Sequence, residues 1–150
     1  MGKWLDWVKV KRFLEGKYQV LEYRYYVGLR EKDKGMKSFL KKLKKIGFKI
    51  ITKPVKVAVN KEGETFEKAN FDVEMTADLL LRWDAIEAAV FFSGDSDFAY
   101  LCNLIHKRKK KIYFFASKKT LAWELRKKAD HFFYLEDFSH LTKHKSFARL

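Results

Sequence analysis

The stretch Ala88-Ala89-Val90-Phe91-Phe92-Ser93-Gly94-Asp95-Ser96-Asp97-Phe98 constrains this chain more than any other part of it. Its opening run, Ala88 to Phe92, is unbroken apolar and ends in aromatic residues, the pattern of a strand buried on both faces. Ser93-Gly94 interrupts the run. Phe98, Leu101, Cys102 and Ile105 then recur at i, i+3, i+4 and i+7, which predicts a helix with one apolar face. Asp95 and Asp97 therefore fall in the turn from the carboxyl end of a buried strand to the start of a helix. In open α/β sheets that crevice is where ligands bind. Such a turn needs one carboxylate as a cap, and a second one two residues away adds repulsion. A hard divalent cation such as Mg²⁺ makes both favourable. Asp95 and Asp97 are thus candidate metal ligands, with Ser93, Gly94 and Ser96 supporting them. The plainer reading is a polar turn whose acids face water.

Length and charge bound the rest. At 150 residues the chain is expected to form a single domain, 1–150, burying roughly 70% of the surface its unfolded form exposes. Lysine and arginine number 33 against 19 acids, a formal net charge of +14, which favours a polyanionic partner, nucleic acid before an anionic membrane. Lys107, Lys109, Lys110, Lys111, Lys118 and Lys119 are the expected nucleic-acid contacts, with Arg126-Lys127-Lys128 a further basic run; a solvated basic face is the alternative. The single cysteine, Cys102, excludes an internal disulfide and a multi-cysteine zinc site, and its place on an apolar helix face reads as packing. His106, His131, His140 and His144 show no metal-ligand spacing. Trp4, Trp7, Trp83 and Trp123 read as core or interface residues rather than base-stacking platforms. No signal peptide opens the sequence and no apolar run approaches membrane-spanning length, so a cytoplasmic location without a membrane partner is expected.

The periodicity along the chain predicts alternating helices and strands. Helices are expected over Trp4 to Leu14, Met36 to Gly47, Phe71 to Trp83, Phe98 onward and Lys118 to Lys128. Strands are expected over Tyr18 to Leu29, Phe48 to Thr52, Val55 to Val59, Ala88 to Phe92, Ile112 to Ala116 and Phe132 to Leu135. Val55, Val57 and Val59 alternate with polar residues, so their strand should be half exposed, and Asn60-Lys61-Glu62-Gly63-Glu64 should turn it back through Thr65 and Phe66. The Phe71 to Trp83 helix has few polar residues and should be largely buried. Such alternation implies an α/β fold with a mainly parallel sheet covered on both faces.

Asp72 is the third candidate acid. It shares a helix face with Thr76 and Leu79, where an ionised carboxylate is costly unless something pairs with it. A helix-start carboxylate favoured by the macrodipole accounts for it equally well. Asp78 stands six residues on, about 120° around the helix, and is a weaker candidate.

The motifs resemble a known family. Ser93-Gly94-Asp95-Ser96-Asp97-Phe98 is similar to the SGDSDF signature of NYN domains, the LabA-like branch of the PIN-like nucleases. Lys68-Ala69-Asn70-Phe71-Asp72-Val73-Glu74-Met75-Thr76-Ala77-Asp78 resembles that family's KGVDVxLxxD stretch, with Ala69-Asn70 in place of the usual glycine. Gly47-Phe48-Lys49-Ile50 resembles its GFxV strand entry, and Leu121 to Leu135, through Ala129-Asp130-His131-Phe132, its closing LxxxADxFxxL. The resemblance implies a Rossmann-like, three-layer PIN-like fold. It also implies Mg²⁺ or Mn²⁺ held by Asp72, Asp95 and Asp97, with Asp78 as a weaker fourth, and metal-dependent hydrolysis of RNA phosphodiesters. Family members open with a strand ending in Asp, followed by Gly-Ser/Ala-Asn-Leu. That N-terminal strand has no counterpart here, and Asp6, with no strand expected before it, does not replace its acid. The resemblance therefore implies an incomplete metal site and leaves a second function open: a PIN-like module that binds nucleic acid or a protein without cleaving. The gap in the sheet also makes a homodimer an expectation.

Overall fold

The computed structural model describes residues 3–144, and for Lys3, Trp4, Lys143 and His144 the backbone only, so the expectation for the Trp4 side chain lies outside the described set. Its strands and helices follow one another as β1 (Lys3–Leu5), α1 (Trp7–Glu15), β2 (Tyr23–Leu29), α2 (Lys34–Lys45), β3 (Phe48–Pro54), β4 (Lys56–Val59), β5 (Thr65–Lys68), α3 (Asp72–Leu81), β6 (Ala88–Phe91), α4 (Ala99–Lys107), β7 (Lys111–Ala116), α5 (Trp123–Lys128), β8 (His131–Tyr134) and β9 (Thr142–His144). They divide into two compact units, one made of Met1–Phe13 with Thr76–Leu150, the other of Leu14–Met75. The expected α/β class with parallel pairing holds in both.

In the first unit β6, β7 and β8 form a parallel ladder in that order, with Phe91 opposite Phe114 and Phe115 opposite Phe133. Residues alternate across a strand, so neighbouring phenylalanines serve opposite faces. On one face Phe92 stacks on Phe115 at 4.7 Å and Phe115 on Phe133 at 4.4 Å, while Trp7 and Phe13 of α1 meet that row edge-on. On the other face Phe91 meets Phe98 at 5.0 Å and Phe114 at 5.9 Å. There Leu101, Cys102 and Ile105 of α4 and Leu125 of α5 are buried as well. Two fully apolar faces explain why the sequence of β6 and β7 shows no polar alternation. Trp7 and Trp83 are covered as expected.

In the second unit β2 and β3 pair in parallel from Tyr23 opposite Phe48 to Leu29 opposite Pro54. Tyr25 packs on Phe39 of α2, and Tyr26 packs on Phe71 on the other face. Asp33 caps α2 by accepting the Met36 N–H at 2.8 Å, and Gly47 ends the helix region at φ 96°, where other residues are strained. Glu22 meets Arg24 and Lys49; burial opposes its charge, but these two cations outweigh that and hold its carboxyl below the ordinary range. β4 and β5 form the expected hairpin, closed by the Asn60 N–H donating to the Glu64 carbonyl at 2.9 Å.

Several expectations need correction. α3 has no buried residue, with Val73 77% and Leu81 83% exposed, because its apolar side chains run around the helix instead of forming one stripe. Val57 and Val59 face solvent, since the two-stranded hairpin brings no layer to cover them. Residues before Trp7 are extended, because Lys3–Leu5 pairs antiparallel with Thr142–His144. A strand thus does precede Asp6, yet Asp6 is committed as a helix cap, its Oδ1 accepting the Val8 and Lys9 N–H groups at 3.2 and 3.4 Å. The last expected helix begins only at Trp123, since Ser117 to Thr120 closes a hydrogen-bonded turn first. Among the described residues, β2 pairs only with β3 and β6 only with β7, and no helix is long and apolar enough to cross a membrane.

Candidate functional site

Asp95 and Asp97 lie where the sequence puts them, immediately beyond the carboxyl end of β6. Gly94 makes this possible. A Cβ there would sit inside the Thr120 carbonyl, 2.6 Å from its carbon and 3.0 Å from Leu121 Cα. The glycine lets the Thr120–Ala122 backbone lie directly on the turn, and the Ala122 N–H donates to the Gly94 carbonyl at 2.9 Å. Asp95 then caps a 3₁₀ turn over Ser96–Phe98, its Oδ1 accepting the Asp97 N–H at 3.0 Å. The Asp95 N–H in turn donates to Ser93 Oγ at 3.2 Å.

One acid therefore does the capping that the turn requires. Asp97 does none of it. Each nonetheless offers a carboxylate oxygen within 4.8 Å of the other's, and both side chains are exposed. Oxygen donors of this kind suit a hard, oxygen-preferring cation such as Mg²⁺ or Mn²⁺ rather than a soft one. The structure thus brings Asp95 and Asp97 together, as expected, with Ser93 and Ser96 on the same turn.

Asp72 and Asp78 stand on α3. Asp72 opens the helix, half-buried, with its N–H donating to Asn70 Oδ1 at 2.8 Å and its Oδ2 accepting from Asn70 Nδ2 at 2.7 Å. That reciprocal pair supplies the helix-start role allowed by the sequence. Asp78 is half-buried two turns along.

The basic residues separate into two groups along the parallel ladder. Lys107 ends α4 and Lys111 begins β7, so Lys107 to Lys111 lie at the amino edge of the strands. The acids lie at the carboxyl edge, one strand length away, on the order of 20 Å for the six residues of β7. Lys110 is engaged there, its Nζ donating to the Ile86 carbonyl. A cleft of about 590 Å³ lined by Leu80, Trp83, Asp84, Leu104, Lys107 and Arg108 occupies the same edge. Lys118 and Lys119 follow the end of β7 and share the carboxyl edge with the acids. Lys118 Nζ pairs with Asp137 at 3.2 Å, and its N–H donates to the Glu136 carboxylate.

Trp123, read from the sequence as a core or interface residue, is not in the core. It is 61% exposed at the start of α5, next to the Ala122 that hydrogen-bonds Gly94. Lys127 Nζ lies 4.6 Å from its ring centre. The signal was present: Leu121 and Leu125 carry the apolar stripe of this segment, and Trp123 lies between them, off that face.

Cys102 is fully buried, which pushes its thiol up to about 11 and makes it an inert packing group. Asp130 is shifted the other way. Burial opposes its charge, but the Ile112 N–H at 2.8 Å and His106 Nε2 at 2.9 Å outweigh that and hold its carboxyl below the usual 3.8.

The chain is 27% identical over 115 residues to the Low amplitude and bright protein LabA of Synechococcus elongatus, a match covering 75% of this chain and 61% of that protein. The chain thus spans about three-fifths of the length of this curated relative. A crystal structure of a protein of unknown function from Vibrio parahaemolyticus shares the fold at a TM-score of 0.75 and 22% identity, over 90% of this chain and 81% of that one. The NYN domain model matches residues 2–136, across both compact units and through every motif above, and the chain belongs to the NYN domain family.

Proposed function

We propose that the protein is a metal-dependent ribonuclease whose reaction is centred on the Asp95–Asp97 turn. The observation that carries this reading is the pair of exposed carboxylates converging at the carboxyl end of a buried parallel strand, when capping the turn needs only one of them. Asp95 and Asp97 would hold Mg²⁺ or Mn²⁺, with Asp72 completing the set and Asp78 a weaker member, as the family resemblance implies. Held there, a divalent ion would supply polarisation of the scissile phosphate and activation of a water. The chain's own part is to fix the two carboxylates through Gly94 and the Ser93 hydroxyl, and to draw a phosphate backbone in through its lysines. Residues 1–150 act as one NYN domain in this reading, because the family match crosses both units. A cytoplasmic location and an RNA partner belong to the same proposal.

The test is cleavage of a generic single-stranded RNA with Mg²⁺ or Mn²⁺. Wild type should cut and should stop with a chelator, while Asp95→Asn and Asp97→Asn should not cut. Cleavage that survives chelation, or survives both substitutions, overturns the reading.

A second reading is favoured by Asp6. Asp6 follows β1 but stands outside the acid group that Asp95 and Asp97 share among the described residues, so it does not supply the family's first-strand acid. On that ground the protein is a PIN-like module that binds RNA, or another partner, without hydrolysis. Tight RNA binding with no metal-dependent cleavage at any RNA length would select it. The edges of β2 and β6 that pair with no other described strand add self-association as an expectation for either reading. Sedimentation across a concentration series tests that separately.

A further inference from the structure

The exposed tryptophan beside the acid turn needs an explanation. Tryptophan is among the residues most covered on average, yet Trp123 is 61% exposed at the head of α5. No packing role accounts for it: Leu121 and Leu125, on either side in sequence, fill the core at 4% and 0% exposure. Its position is fixed all the same. Ala122, the residue before it, donates its N–H to the carbonyl of Gly94, the residue before Asp95. Trp123 and Asp95 therefore flank a single backbone hydrogen bond.

The surroundings of the ring are cationic. Lys127 Nζ lies 4.6 Å from the ring centre, one helical turn on. Arg126, which follows Trp123 on α5, lies 5.7 Å and Lys118 5.3 Å from the Tyr134 ring at the end of β8, and Arg126 Nη2 is tied to the Lys118 carbonyl at 3.1 Å. Acids are present too, but Glu136 and Asp137 are engaged by Lys118, while Glu124 is half-buried. Among the described residues, Lys119 and Lys127 pair with no acid. An exposed aromatic face interleaved with such cations is the combination that binds single-stranded nucleic acid, with bases stacking on the ring and phosphates beside the cations.

We propose that Trp123 is a stacking platform for an unpaired base of single-stranded RNA, holding the strand so that its backbone passes the Asp95–Asp97 turn. This rests on the nucleic-acid reading above and adds to it a residue that contacts a base beside the acid turn. A base in a duplex is already stacked on both faces and has none free for the ring.

The test uses the full chain in the Asp95→Asn background, so that RNA is bound without being cut. Fluorescence anisotropy of a labelled ten-nucleotide single strand is compared for Trp123 intact, Trp123→Ala and Trp123→Phe. Trp123→Ala should weaken binding about 5- to 150-fold, the span of one lost stacking contact, and Trp123→Phe should recover most of the loss. A strand of abasic units of equal charge should bind all three alike. Tryptophan fluorescence should be quenched by the single strand when Trp123 is present and much less in Trp123→Phe. If the parent protein binds no RNA at low salt, the nucleic-acid reading falls and this proposal with it. If the parent binds but Trp123→Ala binds equally well, or loses the abasic strand to the same degree, stacking is overturned and the nuclease reading stands.

Discussion

The Ala122 N–H donates to the Gly94 carbonyl at 2.9 Å, which fastens the start of α5 to the turn that carries both acids. The contact exists only because Gly94 has no side chain. Gly94→Ala forces either the turn or the Thr120–Ala122 segment to move. We expect a loss of about 1–3 kcal/mol, the usual cost of overpacking, measured by urea unfolding. Cleavage should fall further than stability does, since the acids move with the turn.

Metal binding should register as stability. A divalent ion that binds only the folded chain adds about 2.7 kcal/mol at a hundred times its Kd. Mg²⁺ or Mn²⁺ should raise the melting temperature of wild type, and Asp95→Asn or Asp97→Asn should remove most of the rise. An equal rise in wild type and both variants would place the ion elsewhere.

Binding to single-stranded RNA should weaken with salt, at a log–log slope near −0.7 for each phosphate neutralised. The two basic groups lie at opposite edges of the ladder, so strand length should separate them. Charge reversal at Lys119 should weaken short and long strands alike. Reversal at Lys107, Lys109 and Lys111 should weaken long strands and spare short ones. Lys110 is best left intact, because its ammonium holds the Ile86 carbonyl.

Asp130 gives a pH signature. Its carboxyl is held below 3.8 in the folded chain, so the stability it contributes is present above that value and is lost as pH falls through the lower, folded one. The stability difference between wild type and Asp130→Asn should be present at about pH 5 and should narrow as pH falls below about 4.

Cys102 should be silent towards thiol reagents in the native state. It is fully buried, with its thiol raised to about 11, so labelling should proceed at the rate of unfolding. Rapid labelling without denaturant would contradict the packing of α4.

The parts of this fold that could be read in sequence are those where one local rule decides. The β6 run, the glycine break and the α4 stripe all act within a few residues, and the acid turn follows from them. Val57, Val59 and the apolar side chains of α3 misled because periodicity reports which residues could share a face, and tertiary context decides whether a layer covers it. The pairing of Lys3–Leu5 with Thr142–His144 has no local signature at all. Trp123 was legible only as a core or interface residue, and the stripe set by Leu121 and Leu125 leaves it outside the core.

That end-to-end pairing also bears on how the molecule comes into being. Lys3 lies opposite His144 in the register, and the unit they belong to is assembled from the first thirteen residues and the last seventy-five. Residues Leu14–Met75, by contrast, are contiguous and can condense as soon as they leave the ribosome. The α1 residues that cover the β6–β8 ladder must wait, their apolar side chains without a partner, until the rest of the chain has been synthesised. Closure over so long a separation is slow. The unit that carries the acid turn is therefore expected to settle later than Leu14–Met75.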